Sequence, residues 1–266
     1  MEITLGCFTR PWKDYGVEAA AAGMRAAGFN YFGPMGMSPT RLIDHNSTPE
    51  DVAAIERVVK GAGLKFSIMM AICPLTSVEE GVAAVNRQID YAEQLGTRHV
   101  MTGGASNPDQ YETYYAIMRE SSEYALHKGI TIMLKPHGGL SNTTRDTIES
   151  WKKVNHQNFK ICYDAGNLLY YVGEDPLAHI HEIAPIVSGM CIKDELGGMQ
   201  GDVMVTPGDG LVDFPAVFGA LKDAGCAGPF VVECLSGESL DEINHEAVRA
   251  RQFLEETFAA VGYTVD

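Results

Sequence analysis

Ile130-Thr-Ile-Met-Leu-Lys-Pro-His-Gly-Gly139 is a short apolar run that ends in a lysine, a histidine and two glycines. In an extended strand residues i and i+2 share a face, so Lys135 and His137 are expected to project together from the end of a buried strand. Runs of the same kind recur at residues 3–8, 29–32, 64–71, 99–102, 159–164, 187–193 and 230–233. Segments of helical period follow them, at 17–27, 49–61, 77–95, 108–128, 144–154, 176–183, 214–224 and 240–260, with Thr48 placed to cap the second. Eight strand-helix cycles predict an α/β protein, a single (β/α)8 TIM barrel in which parallel strands close on themselves with helices outside. A doubly wound open sheet is the alternative.

The chain has 266 residues, a length natural to one such barrel, and no Pro- or Ser-rich linker divides it, so residues 1–266 are expected to form one domain. A formal net charge of −15 opposes binding to polyanions, whose affinity comes from Lys and Arg neutralising phosphates. Nucleic acid and acidic membranes are therefore excluded as expected partners. Six scattered cysteines without a CxxC pair suit buried free thiols in a reducing compartment. With neither a signal-peptide pattern nor a membrane-length apolar run, a cytoplasmic protein is expected.

In barrels of this kind chemistry lies where strands end. The fifth strand ends in Lys135 and His137, the sixth in Asp164 and Asn167, the seventh carries Cys191 and Lys193 on one face, and the eighth ends in Glu233. If Asp164 and Glu233 face the barrel axis, Phe159, Ile161, Tyr163, Phe230 and Val232 face the helices, so the polar residues converge. Arg10, Trp12, His45, Asn167, Lys193 and Asp194 lie near strand ends or in the following loops and are candidate substrate contacts; Trp12 is placed either to stack on the apolar face of a substrate ring or to fill the barrel rim. Leu196-Gly-Gly-Met-Gln-Gly201 reads as a lid or as a glycine-rich connector.

Tyr163-Asp-Ala-Gly-Asn167, Cys191-Ile-Lys-Asp194, Pro207-Gly-Asp-Gly-Leu-Val-Asp-Phe214 and Gly228-Pro-Phe-Val-Val-Glu233 together resemble the xylose isomerase-like TIM barrels. That group includes sugar isomerases, ketose 3-epimerases, inosose dehydratases, sugar lyases and an endonuclease branch. The resemblance implies a divalent metal, Mn²⁺ or Mg²⁺, held by carboxylates from strands five, six and eight and a histidine from strand seven. Asp164 and Glu233 match. Lys135 stands where the glutamate is usual, and Cys191 where the histidine is usual. A protonated lysine cannot ligate a metal. Two solutions are open: His137 joins Asp164 and Glu233 as a ligand, or the site has no metal and the Lys135 ammonium stabilises an enolate.

The resemblance implies a small carbohydrate substrate and proton transfer next to a carbonyl. Without a strand-five carboxylate the symmetric two-glutamate epimerase mechanism loses one base. The expected function is therefore a lyase, dehydratase or hydratase acting on a sugar or keto-sugar, such as a 3-keto-glycoside. Lys135 or His137 would be the acid/base and Glu233 a ligand or electrostatic group. A ketose 3-epimerase-like isomerase is the alternative, and a non-catalytic sugar-binding barrel a second one. Relatives with this fold imply a homodimer, a homotetramer or a partner subunit.

Overall fold

Alternation of side chains along eight short parallel strands generates the architecture. The computed structural model describes residues 1–35 and 42–266. The barrel strands are β1 (Leu5–Phe8), β2 (Tyr31–Gly33), β3 in two pieces (Lys65–Phe66 and Ile68–Met70), β4 (His99–Thr102), β5 (Thr131–Leu134), β6 (Phe159–Tyr163), β7 (Val187–Ile192) and β8 (Phe230–Val232). Every pairing between them is parallel. The first piece of β3 pairs with β2 and the second with β4, and only Ser67 separates them, so this one strand closes the sheet. A two-residue ribbon, Glu2–Ile3 against Thr264–Val265, ties the chain ends outside the barrel.

Inward positions form a layer of Phe8, Met35, Ile68, Met101, Met133, Cys162, Cys191 and Val231, while Phe159, Ile161, Tyr163, Phe230 and Val232 pack in the larger cluster under the helices. The predicted parity of β6 and β8 is thus realised. Two residues further along each strand, the same inward face carries Lys135, Asp164, Lys193 and Glu233. The apolar floor of the barrel therefore lies directly beneath its polar groups.

Helices α1 (Gly16–Ala26), α2 (Pro49–Gly61), α3 (Val78–Leu95), α4 (Tyr111–His127), α5 (Thr144–Val154), α6 (Ala165–Val172), α7 (Ile180–Ile183), α8 (Phe214–Asp223) and α9 (Leu240–Val261) surround the sheet. Their starts follow local chemistry. Thr48, Thr143 and Ser239 form capping boxes, each hydroxyl accepting from the amide three residues on.

Helix α6 departs from the sequence expectation, which placed no helix between β6 and residue 176. It is eight residues long, too short for the 3.6-residue period to declare itself, and it begins because the Asp164 carboxylate caps it. Of the segment 176–183, only Ile180–Ile183 is α-helical. No helix of the described residues is long and apolar enough to cross a membrane, and all six cysteines are free.

Candidate active site

Five charged side chains meet at the C-terminal ends of the strands. Lys135 follows β5, and its Nζ lies 3.1 Å from Asp164 Oδ2 and also contacts Glu233 Oε2. Lys193 follows β7 and reaches Glu233 Oε1 at 2.9 Å and Asp164 Oδ2 at 3.7 Å. Arg10, in the turn after β1, donates to Glu233 Oε1 at 2.6 Å. The side chains of Lys135, Asp164, Lys193 and Glu233 are at most 3% exposed, and that of Arg10 is 17% exposed. Charges this deep are tolerable only because each has an opposite partner.

Three local devices hold the group. Asp164 Oδ1 accepts from the Asn167 amide at 2.9 Å, so the carboxylate that caps α6 also faces the lysines through Oδ2. The Asn167 side chain accepts from Lys193 Nζ at 2.9 Å and donates to the Pro136 carbonyl at 2.6 Å, joining β5, α6 and β7. The chain then turns at Gly138 and Gly139, both with positive φ, where a Cβ on Gly139 would collide with the Ala105 carbonyl.

Electrostatics follow from this packing. Burial alone would lower the Lys135 pKa, but Glu233 and Asp164 outweigh it and hold the ammonium well above the ordinary lysine range. Burial would likewise raise Glu233, but Lys135, Lys193 and Arg10 hold its carboxyl well below the ordinary range. Lys135 is thus a fixed cation and Glu233 a fixed anion. The acid/base role expected of Lys135 is corrected on this point: an ammonium clasped by two carboxylates does not release its proton near neutral pH, and its part is electrostatic.

His137 lies beyond the end of β5, which closes at Leu134. Past Pro136 and before the glycine turn, the imidazole stands at the exposed mouth. There it meets the Tyr171 hydroxyl, 3.2 Å from Nδ1, with ring centroids 5.4 Å apart. Its outer edge is open, yet desolvation by the rim, followed by the charges of Lys135 and Lys193, depresses its pKa to about 4. The imidazole is uncharged at neutral pH.

This arrangement bears on the metal question raised by the sequence. Among the described residues, the group whose donor atoms could surround a metal ion is Asp164, Cys191 and Glu233, all within 4.8 Å, and His137 is not part of it. The expected ligand set His137, Asp164 and Glu233 is corrected accordingly. The Cys191 thiol is 3.8 Å from Cys162 Sγ and 3.4 Å from Met101 Sδ, and burial pushes its pKa well above the usual range, so it is a neutral core group. Both carboxylates already hold ammonium or guanidinium partners. A divalent ion placed among them would face three cationic side chains, those of Arg10, Lys135 and Lys193, so the residues present do not fit Mn²⁺ or Mg²⁺.

The candidate substrate residues divide. Arg10, Lys193 and Asn167 belong to the constellation. Trp12 does not: it is 1% exposed and its indole donates to Asn244 of α9 at 2.9 Å, which makes it a core residue between α1 and α9. Asp194 is also corrected. It is fully buried and accepts from the amides of Glu195, Gly208, Gly210 and Val212 at 2.9–3.1 Å, so it folds the 207–212 loop and has no oxygen left for substrate. His45 is held against α3, its carbonyl accepting from Arg87 at 3.2 Å. The 196–201 stretch is fastened, with Leu196 and Asp202 exchanging backbone bonds at 2.9 Å and Gln200 N donating to the Tyr170 carbonyl at 2.8 Å.

Two residues escaped sequence reading. Tyr171 lies four residues after Asn167 on α6, hence on the same helix face, and that spacing would have pointed to it had the helix been recognised. Glu195 is fully buried below the 196–202 loop with Oε1 unpaired. No motif surrounds it that would have announced it.

A closed parallel barrel with convergent charges at the strand C-termini defines the class of (β/α)8 enzyme-type barrels. The xylose isomerase-like TIM barrel pattern matches residues 19–257, and the chain belongs to that family. An inosose dehydratase of Geobacillus thermodenitrificans strain NG80-2 is 23% identical over 248 residues, 80% of this chain and 83% of that protein. A xylose isomerase-like TIM barrel protein from Mycobacterium smegmatis, in complex with magnesium, shares the fold with a TM-score of 0.76 at 17% identity, covering 96% of this chain and 97% of the other. D-allulose 3-epimerase from Methylomonas sp., in complex with D-allulose, has a TM-score of 0.74 at 19% identity, over 96% of this chain and 97% of the other.

Proposed function

We propose that this chain is a carbohydrate lyase, a dehydratase that removes a proton next to the carbonyl of a sugar or keto-sugar and expels the β-oxygen without a metal. The observation that carries the reading is the Lys135 ammonium lodged between Asp164 and Glu233, a fixed positive charge at the point where the donor atoms of a metal site would converge. At the buried floor of the barrel mouth, Lys135, Lys193 and Arg10 supply N–H donors for the oxygen that becomes negative as the enolate forms. The uncharged His137 imidazole takes the carbon-bound proton. Once protonated beside Lys135 and Lys193 it is a strong acid, and it returns that proton to the departing oxygen. The inosose dehydratase relative supports elimination over isomerisation. A lysine on strand five also leaves the centre without the opposed carboxylate that a symmetric epimerase would use.

Incubating the protein with aldoses, ketoses and 3-keto-glycosides in D₂O and following products by NMR tests this. Loss of water from the substrate, unchanged after chelation, is the expected result. Solvent deuterium in a recovered epimer without elimination would identify an epimerase instead, and turnover abolished by chelation and restored by Mn²⁺ would overturn the metal-free reading.

The pH profile gives a second prediction. Because His137 stays neutral down to about pH 4, the acid limb of kcat/KM is expected near pH 4, well below the ordinary histidine value of about 6.5. The groups facing it are Lys135, Lys193, Glu233 and Tyr171. The same depression acts on stability: the unfolded imidazole takes up its proton first, so this residue's contribution falls as pH drops from about 6.5 to about 4. An activity limb near 6.5 would remove His137 from the role of base.

A further inference from the structure

Three cations, Arg10, Lys135 and Lys193, face only two carboxylates, Asp164 and Glu233, at this centre. The floor thus carries an excess positive charge inside a chain whose formal net charge is −15. A neutral keto-sugar gives no reason for that excess. Formation of an enolate would use it transiently, but the charge is built in before any substrate arrives, and burying it is costly.

The donors are also incompletely used. A guanidinium has five N–H donors and an ammonium three. Arg10 has its hydrogen bond to Glu233 Oε1, and Lys193 has Glu233 and Asn167, so both keep donors for a further oxygen. Asp164 Oδ2 complements them. It is buried, 3.1 Å from Lys135, and receives no aligned hydrogen bond, which leaves it ready to accept from a hydroxyl. Cationic donors beside a lone carboxylate acceptor match a molecule that bears both an anionic oxygen pair and hydroxyls.

We propose that the ligand of this centre is a sugar acid, a polyhydroxylated carboxylate whose carboxylate group is gripped by Arg10, Lys135 and Lys193 while a neighbouring hydroxyl donates to Asp164. Arg10 provides the planar fork that suits a carboxylate, and its partial exposure makes it the outermost of the three cations. The overall negative charge opposes an anion only at long range, where salt screens it, whereas the local cations act at contact distance.

This inference rests on the lyase reading for its chemistry and deepens it. His137 takes the proton from the carbon next to the carboxylate, and the C–H electron pair moves onto the carboxylate, which becomes a dianion held by the three cations. The pair then returns to form a carbon–carbon double bond as the C–O bond at the β-carbon breaks. The His137 proton leaves on that oxygen as water, and the enol product becomes a 2-keto-3-deoxy acid. No oxidant or reductant is needed.

Titration calorimetry with D-gluconate and D-glucuronate, against D-glucose and methyl glucoside, tests the inference at low and high salt. The acids are expected to bind about tenfold or more tighter than their neutral counterparts, the increment of one charge-assisted hydrogen bond, and to weaken as salt rises. Arg10→Gln, checked for folding by circular dichroism, is expected to remove that preference, and Arg10→Lys to restore part of it. Equal binding of acids and neutral sugars, or no binding of either acid at its solubility limit, overturns the inference. Acids that bind but never lose water would uphold it and sink the lyase reading. A protein that ignores acids yet dehydrates a neutral keto-sugar would do the reverse.

Discussion

Replacing Lys135 by methionine is expected to lower turnover by about two to three orders of magnitude, the usual cost of removing one preorganised donor from a developing oxyanion. It is also expected to destabilise the fold by about 3 kcal/mol, because taking one partner from a buried ion pair leaves the other charge uncompensated. Glu233 would keep Arg10 and Lys193. Asp164 would keep the Asn167 amide and, as a cationic partner, Lys193 at 3.7 Å, and carries most of the damage. In a chain of this size that corresponds to a drop in Tm of roughly 6–12 °C. Urea unfolding beside single-turnover rates separates the two effects. Wild-type turnover in a folded variant would show that the ammonium takes no part in the chemistry.

The double variant Lys135→Glu with Cys191→His is expected to bind a divalent ion that, on the metal-free reading, the native chain does not hold. Donors at 164, 191 and 233 already lie within 4.8 Å of one another. The two changes would replace a cation by a third carboxylate and a protonated thiol by an imidazole, a donor set suited to a hard divalent ion. Histidine at 191 is larger than cysteine and presses on Cys162 and Met101, an overpacking cost of about 1–3 kcal/mol. Without metal the variant should therefore melt below the native protein. Mn²⁺ at about a hundredfold excess over Kd should return roughly 2.7 kcal/mol, and chelation should reverse it. Elemental analysis is expected to find one Mn²⁺ per chain in the variant and none in the native protein. Stoichiometric metal in the native protein, with Lys135 intact, would refute the argument that the ammonium has taken the ion's place.

Much of the centre was legible before any coordinates. The alternation Met133/Lys135, Cys162/Asp164, Cys191/Lys193 and Val231/Glu233 puts a core residue and then a charge on the inner face of four successive strands, and the barrel obeys it. The readings that failed share a cause. Trp12 and Asp194 stand near strand ends as a substrate contact would, but their polar atoms are taken by Asn244 and by the amides of the 207–212 loop. His137 comes after Pro136, beyond the end of the strand, and its imidazole stands at the exposed mouth, outside the group of donor atoms that could surround an ion. A sequence shows which polar groups reach the mouth; it does not show which of them the backbone has already satisfied.

By itself the sequence determined the barrel, because strand and helix periods are local properties repeated eight times, and it located the departure from the family pattern at Lys135 and Cys191. Only the tertiary structure decided what that departure means. Lys135 and Glu233 are 98 residues apart, and Arg10 and Glu233 are 223 apart; closure of the sheet alone brings them within contact. Whether a lysine among carboxylates is a titrating base or a fixed cation depends on those contacts and on burial, quantities that belong to the assembled barrel rather than to any stretch of chain.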